Sequence, residues 1–102
     1  MTHRERVIAA LSHQQPDRVP IDIGGTVNSS IVVEGYAGLK AHFGIQTEDV
    51  LCNRMMRVVK VDERILQGLD IDIRGVFAGA PITGADQELE PNGYRDLWGI
   101  ER

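Results

Sequence analysis

An aspartate inside an apolar run, Asp22 in Val19-Pro20-Ile21-Asp22-Ile23, leads into Gly24-Gly25 and then Thr26-Val27-Asn28-Ser29-Ser30. An ionised carboxylate in such a run must find a partner or a polar cavity, which makes Asp22 a candidate for touching a substrate. The structural alternative is an ion pair with Arg74 across neighbouring strands. Gly24 and Gly25 would let backbone approach a ligand closely, or would serve a tight turn that needs positive φ. Asn28 stands where the next helix begins, a position that caps helices as readily as it binds ligands. Arg74 could hold an anionic group at the mouth of a second strand, or neutralise Asp22 or Asp72. The substrate-binding candidates are therefore Asp22, Gly24, Gly25, Asn28 and Arg74, and no catalytic residue is assigned.

Other chemistries find little support. No Gly-Lys-Ser/Thr follows the glycines and no G-x-G-x-x-G is present, so neither a P-loop nor a dinucleotide fingerprint is written here. His3, His13, His42 and Cys52 share no metal-ligand spacing, and no metal ligand is assigned among them. Cys52 with Met55 and Met56 reads as core filling, and Trp98 as a packing anchor.

The elements that must position the candidates follow from pattern and punctuation. Thr2-His3-Arg4-Glu5 has the spacing of a capping box, and a helix over residues 3–13 presents Val7, Ala10 and Leu11 before Pro16. A buried strand over 19–23 delivers the glycine loop. Val32, Tyr36, Leu39 and Phe43 share one face of a helix over 30–43, capped by Asn28 or Ser29 and closed by Gly44. Residues 48–69 read as a helical region, although Arg57-Val58-Val59-Lys60-Val61 also suits an extended chain. Asp62 caps its last turns. Alternation in Asp70-Ile71-Asp72-Ile73-Arg74-Gly75-Val76-Phe77 predicts a second strand over 71–77. Pro91-Asn92-Gly93 predicts an antiparallel hairpin over 87–100, its second strand still running at Arg102.

The chain has 102 residues, 42% of them apolar, and carries a net charge of −4 without a basic stripe. Nucleic acid and anionic membranes are poor partners for such a surface. A single cysteine and the lack of a secretory-type leader predict a reducing cytoplasmic setting. No apolar run approaches the ~20 residues of a membrane-spanning helix.

Arg4-Glu5-Arg6-Val7 through Leu11-Ser12-His13, Pro16-Asp17-Arg18-Val19-Pro20, Leu69-Asp70-Ile71-Asp72-Ile73 and Asp96-Leu97-Trp98-Gly99, in that order, resemble the N-terminal part of the uroporphyrinogen decarboxylase superfamily. The resemblance spans nearly the whole chain. It implies an α/β fold, the first portion of a (β/α)8 TIM barrel with an N-terminal helix and an additional hairpin. Closing such a barrel takes ~250 residues, so this stretch is too short to do so. Left alone, two open-edged strands are expected to give partial order, self-association (a homo-oligomer among the forms) or aggregation unless a partner supplies the missing strands.

The family includes the decarboxylases of tetrapyrrole and heme synthesis and zinc-dependent methyltransferases that move a methyl group from a corrinoid protein to a thiol. The decarboxylase branch carries two arginines in the loop after strand one, where this chain has Gly25 and Ser29, and an aspartate after strand two, near Phe77 here. Those differences align the chain with the methyltransferase-like branch. In that branch the zinc ligands lie in the second half of the barrel, so this chain is expected to bind no cofactor itself. Zinc and a corrinoid protein would serve the parent, with a small molecule as substrate. The alternatives are uroporphyrinogen decarboxylation by the parent and a non-catalytic fragment or assembly module.

Overall fold

The computed structural model describes residues 1–79 and 86–102 as a mixed α/β chain with three helices and two small antiparallel sheets; among the described residues there is no closed barrel. Helix α1, His3–Leu11, starts with the expected capping box between Thr2 and Glu5. It stops two residues short of the sequence expectation. His13 turns left-handed at φ 57°, and the N–H groups of His13 and Gln14 donate back to the Ala10 and Ala9 carbonyls. That Schellman closure ends the helix before Pro16 can act on it.

Helix α2, Val33–Phe43, ends as expected with Gly44 in the left-handed conformation. Its beginning differs. Asn28 and Ser29 lie in a separate 3₁₀ turn, Val27–Ser29, capped by Thr26, and the N-cap of α2 is Val32, whose side chain offers no hydrogen bond. The Val33 N–H donates to the Arg57 carbonyl instead, 3.1 Å away. A neighbouring strand thus satisfies the helix end that a side chain would otherwise cap.

The expectation of a helical region over 48–69 is corrected in its first part. Residues Leu51–Asn53 form β1 and Val58–Val59 form β2, an antiparallel pair with a register shift between Leu51 and Asn53. Asn53 turns the chain, its side-chain oxygen accepting from the Met56 N–H at 2.9 Å. The other edge of β2 is also taken, because Val59 N–H donates to the Ile31 carbonyl and Val32 pairs with Val58. With chain on both sides, Val58 and Val59 are consecutively buried, a pattern that looks continuous rather than alternating in sequence. Helix α3 is confined to Glu63–Gly68 and is capped by Asp62 as expected. It closes through Asp70 at φ 54°, and the Ile71 N–H returns to the Leu66 carbonyl at 2.9 Å. This turn drops Ile71 into the core beside Tyr36, Ile45, Val59, Val61 and Ile65.

The stretches 19–23 and 71–77, expected as strands, are not assigned as strands. They nevertheless lie side by side and run the same way. Ile21 accepts from the Asp72 N–H at 3.0 Å, while further along each stretch Gly25 approaches Ile73 and Gly75. Pro20 has no N–H to give, and the Ile21 N–H donates to the Asp72 carboxylate at 2.8 Å instead of to a carbonyl. A side chain and an imino acid occupy the positions a ladder would use.

Asp72 is the pin of this region. Its carboxylate, shielded from solvent, receives Arg6 from α1 and Arg18 from the next turn, the latter at 2.6 Å. Arg6 also forks onto Asp17 at 2.7 and 3.1 Å, and Arg18 reaches Asp70. Burial pushes the Asp72 carboxyl up, but the Ile21 N–H and the two guanidinium groups outweigh it and hold it at about 2.

The C-terminal hairpin is present, with β3 Gln87–Leu89 paired to β4 Gly93–Arg95 around Pro91-Asn92. Its second strand does not run on to Arg102. Asp96 turns the chain by accepting from the Trp98 and Ile100 N–H groups, and Arg102 returns to exchange both backbone bonds with Tyr94. Trp98 is therefore a turn residue, 79% exposed, and not a packing anchor. Arg54 ties the hairpin to the β1–β2 turn by a two-pronged bond to Glu88 and by stacking 4.0 Å above the Tyr94 ring. Cys52 is half-buried, while Met55 and Met56 are exposed, so the expected core filling by this trio is not seen.

A carboxylate held ionised in the fold stabilises it above the unfolded carboxylate pKa of ~4, and that stability is lost as pH falls toward the folded value. Asp17 and Asp70, held low by Arg6 and by His3 with Arg18, act in the same direction. Thermal melts should be flat near neutrality and drop between about pH 4 and about pH 2. Asp72→Asn should lower the neutral plateau by roughly 10 °C and flatten the acid limb. An unchanged acid limb would remove Asp72 from this role.

Candidate functional site

The glycine loop is held by its own short bonds. The Asp22 carboxylate accepts from the Gly25 N–H at 2.8 Å, Gly24 takes φ +84°, and the Gly24 N–H donates to the Ser29 carbonyl at 3.0 Å. Thr26 and Ser29 close the following 3₁₀ turn with a reciprocal cap. Glycine is required at Gly25 and Gly75 for space: a Cβ on Gly25 would sit 2.5 Å from Asp22 Oδ1, and one on Gly75 would sit 2.6 Å from the Gly25 carbonyl oxygen. The two loops meet backbone to backbone.

A cleft of about 540 Å³ opens beside this meeting point, lined by Gly24, Gly75, Phe77, Tyr36, Val61 and Leu66. Lys60, Glu48, Glu63 and Arg74 also line it. Of the sequence candidates, Gly24 and Arg74 reach the cleft. Asp22 and Gly25 shape the loop behind it, and Asn28 is an exposed residue of the 3₁₀ turn.

The Asp22–Arg74 pair suggested by the sequence does not form. Asp22 spends an oxygen on Gly25, and Arg74 spends its guanidinium on α3 and on carbonyls of its own extended stretch. Arg74 Nε and Nη2 grip Glu63 at 3.0 Å, while Nη1 donates to the Ile71 and Ile73 carbonyls at 2.8 and 3.1 Å. Four of its five N–H bonds are so committed, which leaves little for a substrate anion. Glu63 is in turn held below its ordinary carboxylate range by Arg74. Arg74 is a strut of the cleft wall.

The polar groups left to act are ones the sequence reading passed over. Tyr36 was expected only on the core face of α2; it is 3% exposed, yet it also lines the cleft, and its hydroxyl oxygen accepts from the Asp62 N–H at 2.9 Å. Lys60 fell inside the stretch expected as helix, where its position after β2 was hidden. The β-branched run in Arg57-Val58-Val59-Lys60-Val61, which also suits an extended chain, was the signal that could have exposed it. Asp62, beside them, is bound by Arg64 and held at about 2 by that side chain and its backbone N–H. Among the described residues no group of three His, Cys, Asp or Glu side chains is arranged to hold a metal. No helix among them is long and apolar enough to cross a membrane.

Gly75→Ala is expected to destabilise the chain by ~1–3 kcal/mol, because the new methyl meets a carbonyl oxygen that cannot move freely. Gly38→Ala, inside exposed α2 with no atom within 4 Å of the new Cβ, should stabilise it by ~0.5–1 kcal/mol. Urea melts of the two variants check both signs; equal effects would mean that the loops do not touch.

No protein-family model, curated protein or solved structure matches this chain. The chemistry of the cleft's own residues must carry any reading of its function.

Proposed function

We propose that these residues are the N-terminal portion of a uroporphyrinogen decarboxylase-like (β/α)8 enzyme, and that the parent moves a methyl group from a corrinoid protein to a thiol with zinc. The observation that carries this reading is the pair of extended stretches running the same way, Ile21 beside Asp72 and Gly25 beside Gly75, whose glycine ends open on one cleft. Parallel barrel strands deliver their C-terminal ends to one face in this manner, and active sites of such barrels lie on that face.

The cleft's electrostatics favour the methyltransferase over the decarboxylase. A tetrapyrrole with many carboxylates needs several cations, but Arg74 is committed to Glu63 and no arginine stands at Gly25 or Ser29. The residues described here do not fit a zinc site, so a parent's metal ligands would lie elsewhere in its chain. Bound there, zinc would supply a thiolate at neutral pH. The part played by this chain is to shape the substrate face: Gly24 and Gly75 let backbone come close, and Tyr36, Leu66 and Phe77 give it an apolar floor.

The test is turnover by the full-length protein that contains these residues. Zinc-loaded protein given a thiol and a methylated corrinoid should demethylate the corrinoid, read by its visible spectrum, and chelation should abolish the reaction. Metal-independent consumption of uroporphyrinogen would assign the decarboxylase instead. Inactivity on both, with a cooperatively folding chain, would assign a non-catalytic module.

A further inference from the structure

Most ionic groups around the cleft are already matched. Lys40 is bound to Asp49 at 2.6 Å and to the Thr47 carbonyl at 2.8 Å, Arg64 to Asp62, and Arg74 to Glu63. Lys60 differs. Its backbone N–H is used by the Val50 carbonyl at 2.6 Å, but its ammonium has no ion pair or hydrogen bond among the described residues, and it lines the cleft. A second donor lies in the same lining. Tyr36 oxygen accepts from the Asp62 N–H, so the phenolic hydrogen remains to be given, and it has no acceptor among the described residues. That O–H can therefore be given to a ligand in the cleft that Tyr36 lines.

An ammonium and an O–H over an apolar floor suit an anion with a carbon body. The floor is supplied by Val61, Leu66 and Phe77. Glu48, in the same lining and without a cation partner among the described residues, would repel a second negative charge. A singly charged carboxylate therefore matches better than phosphate or a dicarboxylate. The volume, about 540 Å³, lies in the range of small-molecule clefts.

We propose that this cleft binds a small monocarboxylate with an apolar body, its carboxylate taken by Lys60 and by the Tyr36 hydroxyl. The proposal rests on reading the glycine end as the ligand-binding face, and it names the substrate class that face accepts. Lys60 supplies the charge and Tyr36 the direction, since its oxygen is oriented by Asp62 and its ring is locked in the core.

Butyrate is the probe, titrated at neutral pH into the full-length protein that contains these residues and followed by backbone amide NMR. Saturable shifts at Gly24, Lys60 and Gly75 are expected, with weaker response to inorganic phosphate and none to butylamine. Lys60→Gln, an exposed change that leaves the core intact, should weaken butyrate binding roughly tenfold, and Lys60→Arg should restore most of it. Tyr36→Phe should weaken it a few-fold. Absence of saturable shifts, or Lys60→Gln binding as the parent chain does, overturns the proposal, as does equal affinity for butylamine. The outcome is separable from the methyl-transfer test. Butyrate binding without methyl transfer leaves this site standing and removes the reaction, and methyl transfer without butyrate binding does the reverse.

Discussion

Asp72 is the group on which the rest of the arrangement depends. A carboxylate removed from water is costly unless its oxygens are fully matched, and here they are matched by Arg6, Arg18 and the Ile21 N–H. Those partners come from α1, from the turn after it and from the first extended stretch. One buried anion thus ties three successive parts of the N-terminal stretch to a residue more than 50 positions further on, and it draws them to the end of α3 through Asp70. Its matching also explains why the two extended stretches touch without a regular ladder. The side chain takes a bond that a backbone carbonyl would otherwise accept.

The second constraint is the doubly flanked strand β2. Ile31 and Val32 on one edge and β1 on the other leave Val58 and Val59 with no solvent face, and α2 borrows the Arg57 carbonyl for its first turn. The core follows from this sandwich: Val59 and Ile65 are fully buried, with Ile71 delivered between them by the turn that ends α3. Positioning of Tyr36 is a by-product. Its ring fills the core, its oxygen meets Asp62, and the residue lines the same cleft as Lys60.

The proposed ligand site therefore lies at a seam between matched and unmatched groups. Arg74, the most conspicuous cation in the second extended stretch, is spent on Glu63 and on two carbonyls and acts as a strut. Lys60, inconspicuous in sequence, keeps its charge available. A cation binds a ligand only with the hydrogen-bonding capacity its neighbours leave it, and neighbours are a property of the fold.

The local signals in the sequence did determine local structure. The Thr2–Glu5 box started α1, Asp62 capped α3, Gly44 closed α2, and Pro91-Asn92-Gly93 folded the hairpin, because each rests on bonds within four or five residues. A close approach was legible at Gly25, though not that the Gly75 backbone would fill the space. Tertiary structure decided the rest. Leu51, Met55 and Val58 have helical spacing, yet an Asn53 turn and edges on both sides of β2 made that stretch extended. Likewise Asp22 and Arg74 are complementary on paper, but Gly25 and Glu63 reached them first. Which charges meet and which stay free depends on desolvation and distance in the folded chain, and a sequence lists the charges without their distances.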